Sequence, residues 1–588
     1  GSYDVITTST SLALGRVNWY GNDPRTLPVV DLGGGGIGGD APLLITGQFE
    51  WRNGSINGTT PMTISAGAVF SLTLAASQPL NRVVVNEGTA VWSSGNVSGV
   101  AGLGHFINNN DFIVTHSGSF GNPLFDNWGS FVKTDDSGQV LFSNGRFTNQ
   151  GTVAVETGTL DIRGSSIYVP VDSGSYTVAE GALLAFGSST VNRILTDTAS
   201  INAPAVHFAG GPVDIYGSYD VYTTTVAGAG RPNWYGTEPR TLPVLDHDGN
   251  SIGGDAPLLI GQQFNWRRGA INSTTPLTIT ADAFLSMTLG IPSTLNRTLI
   301  NEGTAVWSSG NLNSHGTFIN NGDLTVSHSG DGLMQFISFT NNGRFSKTGG
   351  SGQFSFGSNP IPQNNGEIHV DSGTLRFFNG LDNYANNTLT GGVYVISGTL
   401  QIANADPIHN QADLSLHTAH AAVQDTAGNN ALLNFVENGT DGRFALRYGA
   451  AITLTHTLTN SGELIAGPES IFTSDGYAQT SSNATTTIEL AGSSASGLYG
   501  QIQAGPQATL AGTFQVGYLN GFVPNAMDNY VVMNFANRSG TFPHFAGLFI
   551  NGTQVVTVAV NPTTVVINGT GLTPQPNFVL YLPVILNP

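Results

Sequence analysis

The side chains best suited to chemistry form a short acidic stretch, Asp246, Asp248 and Asn250, followed by Asp255. Oxygen atoms at alternate positions are the ligands that Ca²⁺ takes from a protein loop, so the stretch predicts a calcium site built from these four residues. Its counterpart in the first half of the chain begins at Asp31 and continues with glycines, so it lacks most of these oxygens. A hydrated acidic loop without metal is therefore the interpretation that we favour, and we expect no other cofactor.

The chain has two lysines, Lys133 and Lys347, in the equivalent motifs Phe131-Val-Lys-Thr and Phe345-Ser-Lys-Thr. In a strand, each lysine shares a face with the phenylalanine two positions earlier. If that phenylalanine points inward, the ammonium group is buried too and needs a carboxylate or a set of carbonyls. We predict a buried ion pair. The alternative is an isopeptide cross-link from the lysine to an Asn or Asp side chain.

Enzymes that cleave polysaccharides need carboxylates or a basic residue that converge on one face of a groove. The sequence shows no such cluster. Asp40 and Asp31 recur as Asp255 and Asp246. A requirement of a turn or a cap explains this recurrence more simply than a catalytic site does. We therefore predict that the protein is not an enzyme, and we name no catalytic residue. A groove with converging Asp, His and Arg would favour an enzyme, whereas an exposed aromatic row would favour a carbohydrate-binding protein.

These residues belong to a tandem duplication. Residues 86–96, with the sequence Asn-Glu-Gly-Thr-Ala-Val-Trp-Ser-Ser-Gly-Asn, recur unchanged at 301–311. Within the second copy, an Asn-x-Gly turn returns every 19 to 23 residues, which is the length of one coil of a β-solenoid. If these turns share one corner of successive coils, inward asparagines should form amide ladders. The predicted ladder is Asn301, Asn320 or Asn321, Asn341 or Asn342, and Asn364 or Asn365.

The sequence thus predicts an all-β fold, a parallel β-solenoid (β-helix) with tandem duplicated halves, a C-terminal β cap and a terminal strand. Glycine, threonine, serine, asparagine and valine are abundant, as short strands and tight turns require. The glycine-rich segment from Leu27 to Leu44 is interpreted as a loop that leaves the coil. The predicted boundaries are 1–215 for the first copy, 216–400 for the second copy, 401–505 for less regular coils, 506–572 for the cap, and 573–588 for a linker and the terminal strand.

Charge and composition limit the classes of partner that the protein could bind. The net charge is −19 and only 10% of the residues are charged, which argues against binding to nucleic acid or to anionic lipid. No apolar run is long enough to span a membrane as a helix. The chain has no cysteine, so neither disulfides nor thiol ligands contribute. We expect an extracellular or cell-surface location.

Three patterns carry a family resemblance: the Asn-x-Gly-Thr-Ala-Val-Trp coils, the Phe-x-Lys-Thr-x-x-Ser-Gly segments, and the closing pattern from 477–480 to 539–542. In these patterns the chain resembles secreted bacterial β-solenoid surface proteins of the autotransporter-passenger and haemagglutinin-like type. We see no outer-membrane barrel segment, so we do not expect an autotransporter proper. The resemblance implies a β-solenoid fold and a role in adhesion or extracellular matrix.

The two ends of the chain suggest self-assembly. The first residues align with the middle of a coil in the second copy, and an apolar nine-residue strand follows the cap. We predict a structural subunit of a cell-surface or biofilm-matrix filament that assembles head to tail by donating this strand. The alternatives are a carbohydrate-binding adhesin, with a cell-surface or matrix polysaccharide as partner, and a polysaccharide lyase or hydrolase. The residues assigned to self-assembly are Gly1, Ser2, Tyr3, Asp4, Val5, Phe578, Leu580, Tyr581, Leu582, Val584 and Leu586.

Overall fold

The computed structural model describes residues 7–10, 15–164, 168–187, 190–290, 293–357 and 359–574. These residues form an all-β parallel solenoid, as the sequence predicts. The chain divides into two compact units, Gly1–Thr304 and Ala305–Pro588. The residues assigned to self-assembly, 1–5 and 578–586, lie outside the described residues.

The first unit is built from strands that stack in parallel, each on its counterpart one turn later. In its described part, seven strands have 13 to 17 residues and bend around the coil, and the other strands are shorter. The seven are Arg25–Gly39, Leu43–Asn57, Val69–Asn81, Ser200–Ile215, Ser218–Trp234, Arg240–Ile252 and Leu258–Asn272.

The core of this unit consists of columns of apolar side chains that point inward from successive turns. One column runs from Phe112 to Phe131, Val153 and Tyr176, which pair in register and are at most 1% exposed. Alternation of buried and half-buried residues along the strands follows from the period of two in a pleated strand. Burial of such side chains contributes about 1.5–3 kcal/mol each before ordering costs.

The two sequence copies meet inside the first unit. Ser200–Ile215 ends the first copy, and Ser218–Trp234 begins the second. The two strands pair in parallel, from Ser200 beside Ser218 to Ile215 beside Trp234. The joint therefore continues the stack, and the apolar core stays covered across it.

The prediction of a loop at Leu27 to Leu44 is wrong. Arg25–Gly39 and Leu43–Asn57 are paired strands, and the register between them shifts at Gly33. Such shifts are β-bulges, for which glycine is well suited. Gly35 has a φ of 61°, and a Cβ there would lie 1.5 Å from the carbonyl oxygen of Gly15. The glycines therefore permit close stacking of strands rather than an excursion from the coil.

The second unit is also a stack of parallel strands, and its described part includes two short 3₁₀ helices, Ala431–Asn434 and Ser494–Ser496. Its C-terminal part contains the predicted cap. Asn529–Asn534 pairs in parallel with the preceding turn but antiparallel with Thr564–Gly569, which in turn pairs antiparallel with Val556–Val560. This antiparallel hairpin covers one sheet of the solenoid, as an open solenoid end requires.

Buried asparagines form ladders along the stack. Each amide Nδ2 donates to the Oδ1 atom of the asparagine one turn later, at 2.8–2.9 Å. The predicted inward stacking is confirmed for the pairs of the second copy that lie in the second unit. The ladders are Asn86–Asn108–Asn127–Asn149 in the first unit, and Asn320–Asn341–Asn364 and Asn410–Asn438–Asn460 in the second.

Ladder amides also donate to main-chain carbonyls of their own turn and of the next turn. The Nδ2 atom of Asn341 donates to the carbonyls of Gly343 at 3.1 Å and Glu367 at 2.9 Å as well as to Asn364. Buried polar groups of the turns would otherwise lose a partner, which costs about 1–3 kcal/mol for each group. The next residue, Asn342, belongs to a second, exposed ladder with Asn321 and Asn365.

Two adjacent asparagines therefore provide a matched comparison. We expect Asn341→Ala to lower the free energy of unfolding by about 2 kcal/mol or more, because buried partners above and below lose their hydrogen bonds. We expect Asn342→Ala to change it by less than about 0.5 kcal/mol, because water replaces the lost amide. Urea unfolding of both variants measures the difference. Equal losses in the free energy of unfolding would show that the buried ladder stabilises the fold no more than the exposed one.

Candidate functional sites

Both lysines are buried and donate to main-chain carbonyls. The Lys133 Nζ atom lies 2.6 Å from the carbonyl oxygen of Asp136, and Lys347 donates to the carbonyl of Gly349. Both side chains are fully buried, and burial lowers the pKa of each ammonium below its ordinary value. The partners are thus main-chain carbonyls, and among the described residues neither lysine forms the predicted buried ion pair. Asp136 attracts the Lys133 ammonium, but its carboxylate instead accepts from Ser117 and from the amide of Gly138.

These contacts decide what to expect of cross-linking. A main-chain carbonyl is not the side-chain amide or carboxyl group that an isopeptide bond consumes, so we expect both lysines to be free amines. Intact-mass spectrometry should give the mass of the unmodified sequence, and Lys133→Arg should shift it by the residue difference alone. A deficit of one ammonia or one water for each link would contradict this expectation.

Asp246, Asp248 and Asn250 of the predicted calcium site lie on a strand, Arg240–Ile252, and Asp255 lies in the bend that follows it. Asp246 pairs with Arg267, and Asp248 lies 2.7 Å from the Nε atom of Arg268. Asp255 accepts from the amide of Gly236 at 3.0 Å, and Asn250 is exposed. The three aspartates therefore contact arginines or the main chain and do not converge on one point. In the part of the chain that the structure describes, no group of three or more His, Asp or Glu could hold a metal ion.

One buried residue in this strand distinguishes the two copies. His247 is fully buried beside Trp266, whereas the equivalent residue of the first copy, Leu32, is fully buried beside Trp51. Burial lowers the pKa of His247 to about 4, below its ordinary value of 6.5. The imidazole is therefore neutral in the folded chain at neutral pH. This burial was not predicted, because alternating Asp and His residues are typical of a solvated loop.

This pKa predicts a dependence of stability on pH. Above pH 6.5 the imidazole is neutral whether folded or unfolded; as the pH falls towards 4, only the unfolded chain binds the proton, so stability is lost. The loss approaches about 3 kcal/mol at pH 4. His247→Leu, which restores the residue of the first copy, should remove this part of the loss. Urea unfolding at pH 7 and pH 4.5 tests it, and identical pH profiles for the two proteins would refute the assignment.

Two arginines and one ion pair are buried without having been predicted. Arg82 donates to the carbonyls of Ala41 at 2.6 Å and Thr60 at 2.7 Å, and burial lowers its pKa to about 10. The equivalent Arg297 makes the same kind of contact with Ala256, and burial lowers its pKa to about 10 as well. These guanidinium groups bind the carbonyls of neighbouring turns, which is a structural role. Their recurrence after an asparagine in both copies was the available signal.

The buried ion pair joins Arg193 to Asp172 at 2.5 Å. Asp172 also accepts from the Tyr176 hydroxyl at 2.9 Å and from the amide of Asn149 at 2.9 Å. Asp172 therefore lies one turn beyond Asn149, the last asparagine of the first ladder, and accepts the hydrogen bond from its main-chain amide. The first copy thus closes its ladder with a charge pair, and nothing in the local sequence distinguishes this aspartate from a turn residue.

The tryptophans divide into a buried set and one exposed residue. The six that form equivalent pairs between copies are at most 5% exposed, whereas Trp128 is 60% exposed. Another exposed aromatic feature is a stacked pair of tyrosines, Tyr216 and Tyr235, with ring centroids 4.6 Å apart. The buried tryptophans are core residues, and the stacked tyrosines present a flat apolar surface to solvent.

Comparisons with known protein-family models, curated proteins and solved structures found no match. The fold of this chain therefore rests on its own sequence and structure. No helix among the described residues is long and apolar enough to cross a membrane.

Proposed function

We propose that the protein is a structural component of a cell surface or an extracellular matrix. The observation that carries the proposal is the use of buried polar groups to join turns. Asparagine amides and arginines bind main-chain carbonyls of neighbouring turns, as Asn127 does with Thr152 and Arg82 with Ala41 and Thr60. In such an array each turn is stabilised by its neighbours, so length is gained by adding turns. Duplication of the sequence also adds turns and so increases the length of the stack.

An extracellular location fits the composition. Stability does not depend on thiols, because the chain has no cysteine. Its charge of −19 favours solubility and disfavours nonspecific adsorption to anionic surfaces. The resemblance to bacterial β-solenoid surface proteins, which rests on the repeated turn motifs, supports the same location.

The proposal includes head-to-tail assembly by the C-terminal strand, residues 578–586. Its alternate residues from Phe578 to Leu586 are apolar, as a donated strand requires. The end of the second unit also offers edges. Among the described residues, Asn537–Gly540 and His544–Ala546 each pair with a strand on one side only. Such edges can accept another strand.

Removal of residues 574–588 should abolish filaments and leave the cap folded, because the deleted segment follows the last strand of the hairpin. Negative-stain microscopy of the purified full-length and shortened chains measures filament length. In the full chain, Leu580→Asp with Leu582→Asp should have the same effect, whereas Val579→Ser, on the opposite face of the predicted strand, should not. Filaments of normal length from the shortened chain would overturn strand donation.

The second candidate function is a carbohydrate-binding adhesin, and one observation favours it. Tyr216 and Tyr235 stack on the surface with an interplanar angle of 10°, and Tyr216 is 45% exposed. A flat aromatic face can pack against the apolar face of a sugar ring. The pair is too small to form the aromatic row that would favour an adhesin over a structural role.

A further inference from the structure

An open cleft of about 520 Å³ lies on the outer surface of the first unit. Its walls come from four successive turns, through strands Gln139–Ser143, Thr159–Ile162, Leu183–Phe186 and Ser200–Ile215. This volume falls in the range of small-molecule binding sites. The cleft is separate from the buried groups that join the turns, and strand donation does not involve it.

Asp161 is the central polar residue of the cleft. Its Oδ2 atom accepts from Gln139 Nε2 at 2.8 Å and from Arg163 Nε at 2.9 Å and Nη2 at 2.8 Å. The residue is only 5% exposed, and its Oδ1 atom is buried without a hydrogen-bond partner. A buried carboxylate oxygen without a partner is costly, and such atoms in folded proteins call for a functional explanation.

Small residues line the cleft beside Asp161. Ala185 lies beside Asp161 in the next turn, and His207 lies beside Ala185 one turn further. The His207 Nε2 atom is also buried without a partner. A Cβ at Gly187 would lie 2.5 Å from Asp161 Oδ1, so glycine is needed there. Two buried polar atoms without hydrogen-bond partners therefore lie two turns apart, about 10 Å along the stack, with Ala185 between their strands.

The second copy has no such gap at the equivalent column. Arg376, Gln401 and Gln424 lie side by side in successive turns there. Gln401 Nε2 donates to Gln424 Oε1 at 3.1 Å, and Arg376 donates to the carbonyl of Thr426 at 3.1 Å. Long side chains thus occupy the column where the first copy has Asp161, Ala185 and His207, although the Arg376 Nε atom is also buried without a partner. The gap is therefore not a requirement of the fold.

We propose that this cleft binds a segment of a neutral oligosaccharide. Sugar hydroxyls both donate and accept, so they suit an unpaired carboxylate oxygen, an imidazole nitrogen and the half-exposed guanidinium of Arg163. The small floor residues admit the ring itself. A polyanionic glycan would meet the free oxygen of Asp161 and a chain of charge −19, so it is disfavoured.

Isothermal titration of the full chain with cellohexaose, xylohexaose, mannohexaose, maltohexaose and chitohexaose tests the proposal, with polygalacturonate as the anionic comparison. At least one neutral glycan should bind at a single site. Ala185→Gln, which copies the second-copy residue, should fill the gap and weaken binding about tenfold or more, as should Asp161→Asn. Gln401→Ala in the second copy should leave binding unchanged.

Thermal unfolding confirms that each variant is folded. If Ala185→Gln does not fold, His207→Gln, which copies Gln424, replaces it and should also weaken binding. Three results would overturn the proposal: no binding by any neutral glycan, binding of polygalacturonate alone, or full affinity in folded Ala185→Gln or His207→Gln. Loss of filaments in chains shortened at residue 574, with glycan binding retained, would show that the cleft acts independently of assembly.

Discussion

The stack depends on the satisfaction of main-chain groups at the corners of each turn. Strand ladders satisfy the straight segments, but a corner leaves carbonyls without strand partners inside the solenoid. The buried asparagines solve this problem because one amide can donate to its own turn and to the next turn while its oxygen accepts from the previous one. Asn127 makes all of these contacts. The repeated Asn-x-Gly motif is the sequence form of this constraint.

The glycine of the motif serves the same geometry. At Gly151, a Cβ would lie 2.0 Å from the carbonyl oxygen of Gly129 in the preceding turn. Successive corners therefore approach too closely for a side chain, and the asparagine two residues earlier can reach across the turn. Once the corners are fixed, the inward columns follow, as in the parallel-stacked rings of Phe106, Phe125 and Phe147 at 5.3 and 5.4 Å. Polar ladder and aromatic column stabilise each other because both need the same register.

The dependence of the fold on repeated corners explains which features could be predicted from the sequence. Motifs that recur at the coil period predicted the solenoid and the inner ladder, because periodicity reports residues whose environment repeats. The long strand at Arg25–Gly39 was missed because bulged strands use glycines as loops do. The ion pair predicted for Lys133 gave way to a main-chain carbonyl, because burial of a strand face does not specify which oxygen lies nearby. Asp161 and His207 carried no signal, since their environment occurs once and their juxtaposition depends on register between distant turns.

Comparison of the copies separates structural constraint from freedom to diverge. Inward positions keep their size and polarity, as with Trp51 and Trp266, and the change from Leu32 to His247 is tolerated only with a neutral imidazole. Outward positions need only pack beside their neighbours in adjacent turns. All the residues of an outward column can therefore differ between the two copies. In the second copy such a change brings Gln401 and Gln424 together, and Gln401 donates a hydrogen bond to Gln424. A column that instead leaves buried polar atoms without partners loses stability for no structural gain, which makes the cleft at Asp161 the place where a ligand would best account for the divergence.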